Sequence, residues 1–204
     1  MAIRAVVFDL GGVLEHLDGP DALWGPWRDR LGLTEAEMQV AGARVDPDEL
    51  IEIGGLSESE YRQRYADAFR LTGAETDRFM RDMWDWYCGE LDEELVAYAT
   101  SLRPRYATAI LSNSADGARR EEQARFGLED LVDTIIYSHE VGIAKPDRRV
   151  YLLTCERLSV RPEEAVLLDD VQTCVDGAQR VGMQALLHRD TATSIAAING
   201  LLRR

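Results

Sequence analysis

Short runs of apolar residues alternate along the chain with longer stretches whose apolar residues recur at helical spacing. The runs predict five β-strands, because short apolar segments that end in turn residues are typical of buried strands; they cover residues 3–8, 106–111, 134–137, 165–168 and 183–187. The stretches between them predict helices over about 92–102, 115–125, 147–158 and 171–181. This alternation predicts an α/β fold, a Rossmann-like, doubly wound parallel sheet with helices on both faces.

The segment over residues 16–92 interrupts the alternation and is predicted to be entirely helical. Ser57 and Glu60 form the S-x-x-E pattern of a capping box, and Asp46-Pro47 predicts the start of another helix. This segment contains all four tryptophans, and it carries 18 acidic residues against 8 arginines. Its composition and periodicity indicate a helical unit with its own aromatic core.

We therefore expect two domains. Residues 1–15 and 93–204 would form the α/β core, and residues 16–92 would form a small all-helical cap domain that covers the sheet as a lid.

Composition and charge restrict the possible partners. The 204 residues are 46% hydrophobic and 29% charged, which is ordinary for a globular protein and excludes wholesale disorder. The 37 acidic and 23 basic residues give a net charge of −14. Nucleic acid and anionic membranes are poor partners for such a surface, because both are bound through cationic side chains.

No apolar run approaches the roughly 18 residues of a membrane span, and the N-terminal sequence lacks the features of a signal peptide.

The cysteines indicate the compartment. Cys88, Cys155 and Cys174 are odd in number and widely spaced, which favours free thiols over a disulfide framework or a zinc site. We therefore expect a soluble cytoplasmic protein. The sequence leaves its oligomeric state open between a monomer and a homodimer.

Polar side chains follow the predicted strands at the edge where an open parallel sheet binds its ligands. Asp9 follows the first strand, Ser112 the second, and Asp169 and Asp170 the fourth. Lys145, the single lysine among 23 basic residues, lies in the loop after the third strand. These residue types suit phosphoryl transfer: a carboxylate can attack phosphorus, further carboxylates can hold Mg²⁺, and an ammonium group can neutralise the phosphoryl oxygens.

Four motifs in this order resemble those of the haloacid dehalogenase (HAD) superfamily of hydrolases. They are FDLGGVL at 8–14, ILSNS at 110–114, AKPD at 144–147 and LLDDVQTCVDGA at 167–178. The helical segment lies where one subgroup of the family places its cap. Each motif alone is a weak signal, whereas four of them in the family's order are specific.

The resemblance implies a phosphatase that forms an aspartyl-phosphate. Asp9 would be the nucleophile, Ser112 would bind the phosphoryl group, and Lys145 would neutralise the charge of both. The Gly12 amide and Asn113 would be further contacts of the phosphoryl group.

The resemblance also implies a Mg²⁺ cofactor and a class of substrate. Asp9, the Gly11 carbonyl and Asp170 would hold the ion, and Asp169 would support it. The substrate would be a small phosphorylated metabolite, for example a sugar phosphate.

Two positions depart from the family pattern. Gly11 stands where family phosphatases usually carry a second aspartate as general acid and base, a role worth typically 10²–10⁴-fold in rate. Glu15 and His16, just downstream, are the candidates to replace it. Cys174 stands where the family commonly has Asp or Asn; because a thiol is a poor ligand for Mg²⁺, the metal would be held more loosely or through water.

Other functions remain open on the sequence. A 2-haloacid dehalogenase would use Asp9 to attack carbon without a metal, but family dehalogenases tend to have an aromatic residue at the position of Gly11. A non-catalytic, ligand-binding relative is favoured by Gly11 and Cys174 and disfavoured by the retained Asp9 and Lys145. A phosphorelay receiver domain also uses an Asp, a hydroxyl and a Lys, but its acidic pair would follow the first strand.

Overall fold

The computed structural model describes residues 2–203, which contain seven β-strands. These are β1 Ala5–Phe8, β2 Glu15–His16, β3 Glu90–Leu91, β4 Ala107–Ser112, β5 Thr134–Tyr137, β6 Ala165–Asp169 and β7 Gln184–Leu187. Five of them form one parallel sheet in the order β5-β4-β1-β6-β7. All five strands of this sheet were predicted from apolar runs, and the observed ends differ from the predicted ones by at most two residues.

Ten α-helices lie within the described residues. They are α1 Asp21–Leu31, α2 Glu35–Gly42, α3 Glu58–Phe69, α4 Gly73–Cys88, α5 Glu93–Leu102, α6 Ala118–Phe126, α7 Ser138–Val141, α8 Arg148–Arg157, α9 Gln172–Arg180 and α10 Thr191–Leu202. Short 3₁₀ turns cover Ile51–Ile53, Leu128–Asp130 and Pro162–Glu164. Across residues 2–203, no helix combines the length and apolar character that crossing a membrane requires.

The central strand β1 is buried on both faces of the sheet. Its side chains alternate between two apolar cores, because successive residues of a strand point to opposite faces. Val6 and Phe8 pack in the core that includes α5 and α10, whereas Ala5 and Val7 pack in the core that includes α8 and α9. The fold is therefore the doubly wound α/β class that the sequence predicted.

The segment over residues 16–92 contains α1 to α4 but is not entirely helical. Its ends form an antiparallel ladder in which Glu15 pairs with Leu91 and His16 pairs with Glu90. The prediction of an all-helical segment is wrong at these ends, because a two-residue ladder has no sequence periodicity. The division of the chain into a core and a cap stays a prediction.

Asp46 does not begin an α-helix. Its carboxylate accepts hydrogen bonds from the Leu50 and Ile51 amides, at 2.8 and 2.9 Å, and so caps the 3₁₀ turn Ile51–Ile53. The capping box at Ser57 and Glu60 is present at the start of α3.

An aromatic core joins the helices of this segment. The Trp27 ring packs edge-on against Phe79, with 5.2 Å between the ring centroids. The centroid of the Trp24 ring lies 5.6 to 6.4 Å from those of Phe79, Phe69 and Tyr65. This packing agrees with the expectation that the tryptophans stabilise the helical segment.

Candidate active site

Asp9, Ser112, Lys145 and Asp169 meet at the carboxyl edge of the sheet. Asp9 directly follows β1, and its backbone N–H donates to the Leu168 carbonyl of β6 at 2.8 Å. All four residues are at least nine-tenths buried. The strand order brings them together, because β1 lies between β4 and β6.

Lys145 forms a charged bridge between two carboxylates. Its Nζ lies 2.7 Å from Asp9 Oδ1 and 2.7 Å from Asp169 Oδ2. Burial alone would lower the pKa of Lys145, but the two carboxylates outweigh this effect and raise that pKa above its usual value. A compact ammonium group fits this position, whereas a guanidinium would bring a wide planar fork.

The two carboxylates differ in how many of their oxygens are engaged. Asp169 Oδ1 accepts the Val171 N–H at 2.9 Å, so both of its oxygens have partners. Asp9 Oδ1 accepts the Leu10 N–H at 2.8 Å in addition to Lys145. Asp9 Oδ2 makes no hydrogen bond within residues 2–203 and is therefore available to a ligand or substrate.

The residues at this edge fit a hard divalent cation. Asp9, Asp169 and Asp170 each offer a carboxylate oxygen, and these oxygens lie within 4.8 Å of one another. Burial, opposed by Lys145 and aided by the neighbouring Asp169, raises the pKa of Asp9 to about 7. Burial and Asp169 also raise the pKa of Asp170. A bound cation would relieve this repulsion, and carboxylate oxygens are ligands that Mg²⁺ prefers.

Gly12 allows the first motif to approach Asp170. Its φ is +78°, and a Cβ at this position would lie 2.4 Å from Asp170 Oδ2, so no larger residue fits. The Gly12 N–H donates to the Glu15 carbonyl at 2.8 Å. The expected contact between this amide and a phosphoryl group therefore requires that bond to open. Gly11 lines the cavity in front of Asp9.

Ser112 and Asn113 follow β4. The Ser112 hydroxyl is buried, and its one hydrogen bond within residues 2–203 is a long one, 3.3 Å, to the Asn113 carbonyl. The Asn113 side chain clamps the backbone of Lys145: Oδ1 accepts the Lys145 N–H at 2.8 Å, and Nδ2 donates to the Lys145 carbonyl at 3.0 Å. Nδ2 also donates to Glu52. Asn113 thus positions Lys145 here, and its contact with a phosphoryl group stays a prediction.

A cavity of about 380 Å³ opens in front of Asp9 and Lys145. Sequence reasoning missed several of its lining residues, namely Leu17, Glu52, Tyr87, Glu122 and Thr173. Leu17, Glu52, Tyr87 and Glu122 come from loops and helices that are far apart in the sequence and lie outside the four motifs, whereas Thr173 lies inside the fourth motif. No local pattern could have assigned the four residues outside the motifs to the site, because the packing of the helical segment brings Leu17, Glu52 and Tyr87 there and the packing of α6 brings Glu122.

The structure separates the two candidates proposed to replace the second aspartate. Glu15 lines the cavity and is buried. The side chain of His16, the next residue of β2, is 64% exposed and lies 3.4 Å from Asp92. Of the two candidates, Glu15 is the one that lines the cavity.

Cys174 also lines the cavity. Burial raises the pKa of its thiol to about 11, and Asp169 adds to the shift, so the group stays protonated at neutral pH. A neutral thiol is a poor ligand for Mg²⁺. The three cysteines are free, as the sequence predicted.

The helical segment packs over this edge of the sheet. The Tyr61 hydroxyl of α3 donates to the Asp116 carbonyl at 2.6 Å, and the Glu58 N–H donates to the Asp116 side chain at 2.8 Å. Gly54, with a φ of +68°, packs against the His139 carbonyl, which would lie 2.1 Å from a Cβ. These contacts join the helical segment to the residues that follow β4 and β5, and Leu17, Glu52 and Tyr87 of the segment line the cavity.

Known proteins share both the sequence pattern and the fold. The model of the haloacid dehalogenase-like hydrolase family matches residues 3–182. A phosphatase from Mycobacterium tuberculosis is 31% identical over 193 residues, which are 92% of this chain and 88% of that protein. Bifunctional epoxide hydrolase 2 from Sus scrofa is 29% identical over 211 residues and 96% of this chain, which spans 38% of that longer relative.

A solved structure shows the same fold. An HAD family enzyme from Bacteroides thetaiotaomicron, an aspartate-to-alanine mutant in complex with magnesium and inorganic phosphate, has a TM-score of 0.79 at 20% identity, covering 92% of this chain and 95% of that chain. 2-Haloacid dehalogenases are also among the relatives and the similar structures, so the family alone does not decide which bond is cleaved. The four motifs, their convergence at one sheet edge and the match over residues 3–182 lead to one conclusion: the chain belongs to the haloacid dehalogenase-like hydrolases.

Proposed function

We propose that the protein is a Mg²⁺-dependent phosphatase that hydrolyses phosphoric monoesters of a small metabolite, such as a sugar phosphate, through an aspartyl-phosphate at Asp9. The observation that carries this proposal is the arrangement at the sheet edge. Asp9 has one engaged and one free carboxylate oxygen, Lys145 lies 2.7 Å from the engaged one, and the Asp170 carboxylate lies beside them. The phosphatase relative from Mycobacterium tuberculosis supports the same choice.

The residues of this chain have defined parts in the proposed reaction. The free Oδ2 of Asp9 attacks phosphorus, the bond between phosphorus and the ester oxygen breaks, and the ester oxygen leaves and takes a proton from water to give the alcohol. Lys145 neutralises negative charge on Asp9 and on the phosphoryl oxygens, while the Ser112 hydroxyl donates to one of those oxygens. Water then attacks the aspartyl-phosphate and releases inorganic phosphate.

Asp9, Asp170 and the Gly11 carbonyl would hold Mg²⁺ in this proposal. The bound ion would supply positive charge to the phosphoryl group. Asp169 supports the site by holding Lys145, because both of its oxygens are already engaged.

The metal-binding arrangement favours phosphoryl transfer over dehalogenation. Displacing halide from carbon needs no cation, so a dehalogenase gains nothing from grouping Asp9, Asp169 and Asp170 within 4.8 Å. Lys145 neutralises Asp9 and Asp169 but leaves Asp170 without an ion pair in residues 2–203, and a bound divalent cation would neutralise that carboxylate. A phosphatase uses that cation.

The proposed setting is the cytoplasm. The buried, free thiols of Cys88, Cys155 and Cys174 are typical of a reducing compartment. The proposed partner is a small phosphorylated molecule, which the monomer or a homodimer would bind.

The test uses p-nitrophenyl phosphate, whose good leaving group makes the missing acid at position 11 matter least. We expect wild type to turn over in Mg²⁺ and to stop in chelator. Asp9→Asn should lose at least about 10³-fold in kcat, because it removes the nucleophile. Asp176→Asn is the matched control, since Asp176 lies exposed on α9 and outside the cavity.

The proposal fails if wild type is no faster than Asp9→Asn in Mg²⁺. Asp9-dependent release of chloride from 2-chloropropionate would then assign the site to dehalogenation.

A further inference from the structure

Three polar side chains that line the cavity each have an oxygen without a hydrogen-bond partner in residues 2–203. Glu15 and Glu122 line it and are each only 1% exposed, yet Oε1 of each has no hydrogen-bond partner. Tyr87 lines the same cavity, and its hydroxyl forms no hydrogen bond with any residue in 2–203. Asp9 and Lys145 line this cavity as well, so the three groups adjoin the reacting centre.

Separate parts of the fold hold these three groups in place. Glu15 belongs to β2, whose next residue faces outward; Tyr87 belongs to α4 of the helical segment; and Glu122 belongs to α6 of the core. Glu122 is anchored by the Tyr137 hydroxyl, which donates to its Oε2. The anchoring leaves Oε1 free.

Neither Glu15 nor Glu122 takes part in an ion pair within the described residues, although the charge of Arg119 lowers the pKa of Glu122. Burial raises the pKa of Glu15 to about 9, with Glu122 and Asp9 adding to the shift. Burial also raises the pKa of Glu122 to about 7, against the effect of Tyr137. Unpartnered buried acceptors destabilise a fold, so a retained pair is expected to find its partner in a ligand.

We propose that Glu15, Glu122 and Tyr87 form the leaving-group subsite and accept hydrogen bonds from donors on the alcohol part of the substrate. The inference rests on the proposed function. A carboxyl oxygen can accept a hydrogen bond in either protonation state, so the recognition does not depend on the charge of the acids. The substrate class is then a phosphate monoester whose alcohol carries a hydroxyl or a protonated amine close to the ester oxygen.

Three substrates of nearly equal size test this recognition. Propyl phosphate, 2-hydroxyethyl phosphate and 2-aminoethyl phosphate differ only in a terminal methyl, hydroxyl or ammonium group. We expect wild type to prefer at least one of the donor-bearing esters over propyl phosphate by about 10-fold or more in kcat/KM, because a site built for a donor rejects the analogue without it. The better of the two donor-bearing esters identifies the donor.

Variants assign the preference to the three residues. The measured quantity is the kcat/KM of the preferred donor-bearing ester divided by that of propyl phosphate. Glu15→Met should reduce this ratio to about 2-fold or less, and Tyr87→Phe should reduce it in part. Glu15→Gln keeps an acceptor oxygen and should retain part of the preference. His16→Gln is the matched control, because it changes the outward-facing neighbour on the same strand and should leave the ratio unchanged.

Thermal melts separate recognition from folding. Glu15→Met should melt at or above the wild-type temperature, because it replaces an unpartnered buried acid with an apolar side chain of similar length. Equal kcat/KM for all three esters in wild type, or an unchanged ratio in Glu15→Met, overturns the subsite while Asp9-dependent aryl phosphatase activity persists. Loss of that aryl phosphatase activity in wild type overturns the proposed function itself.

Discussion

At the residue scale, the site depends on the partners of individual charges. Lys145 is buried, and the side chains of Asp9 and Asp169 offset the cost of burying its charge. Glu15 is the opposite case, because it is buried with no cationic partner within the described residues. The first arrangement holds the reacting groups in a fixed geometry, and the second leaves an acceptor for a ligand.

The buried Glu15 predicts a pH-dependent penalty on stability. Burial raises the pKa of Glu15 in the folded state to about 9 from an ordinary value of 4.5. Between these two pH values, Glu15 keeps its proton in the folded protein but has lost it in the unfolded chain. The free energy of unfolding therefore falls as pH rises through that window. In Glu15→Met the penalty is absent.

We expect the free energy of unfolding of Glu15→Met to exceed that of wild type by a margin that grows from pH 5 to pH 8. The slope of this margin would be at most about 1.4 kcal/mol per pH unit, the value for one proton. Urea unfolding of both proteins in chelator measures it. A margin that stays flat across this range would contradict the assignment of the penalty to Glu15.

At the element scale, matching caps begin three helices of the helical segment. Thr34 with Glu37, Ser57 with Glu60, and Thr72 with Glu75 form reciprocal capping boxes. Each box satisfies backbone amides that the first helical turn leaves without partners. The boxes at Ser57 and Thr34 differ in their surroundings. In the first turn of α3, the Glu58 N–H donates a hydrogen bond to Asp116 in the loop before α6. No such hydrogen bond is made at Thr34 within residues 2–203.

Replacing the caps at Ser57 and Thr34 should separate the stability of the helices from the packing of the helical segment over the site. Ser57→Ala and Thr34→Ala should each lower the free energy of unfolding by about 0.5–2 kcal/mol. Ser57→Ala alone should raise KM for p-nitrophenyl phosphate, because fraying of α3 loosens the contact with Asp116. Unfolding curves and steady-state kinetics measure the two effects. An equal rise of KM in Thr34→Ala would show that closure does not depend on the start of α3.

At the scale of the whole molecule, sheet order and net charge determine what the site needs. The order β5-β4-β1-β6-β7 brings residues from both halves of the chain to one edge. That edge concentrates carboxylates in a protein whose net charge is already −14. A specific cation at Asp9 and Asp170 should therefore stabilise the fold.

We expect Mg²⁺ to raise the melting temperature of wild type relative to NaCl of equal ionic strength. Binding to the folded state alone adds about 2.7 kcal/mol when the ion is at 100 times its Kd. Asp170→Asn should lose most of this shift, whereas Asp176→Asn should keep it, because Asp176 lies on an exposed part of α9. Equal melting temperatures in Mg²⁺ and NaCl, or a full shift in Asp170→Asn, would argue against the metal site.

The sequence by itself determined the five strands of the sheet, most of the helices and the four motifs. These features are local: a strand follows from a short apolar run, and the polar residues after it lie at the carboxyl edge wherever the strand is placed. The Ser57 cap could be predicted for the same reason.

The tertiary structure alone decided the strand order, the β2–β3 ladder and the lining of the cavity. Glu122 and Tyr87 line the same cavity as Asp9 because α6 and α4 pack against each other. The engagement of the Gly12 amide by the Glu15 carbonyl likewise depends on how the first loop folds back on itself. Such contacts join residues with no shared periodicity or motif, so their assignment required the packed molecule.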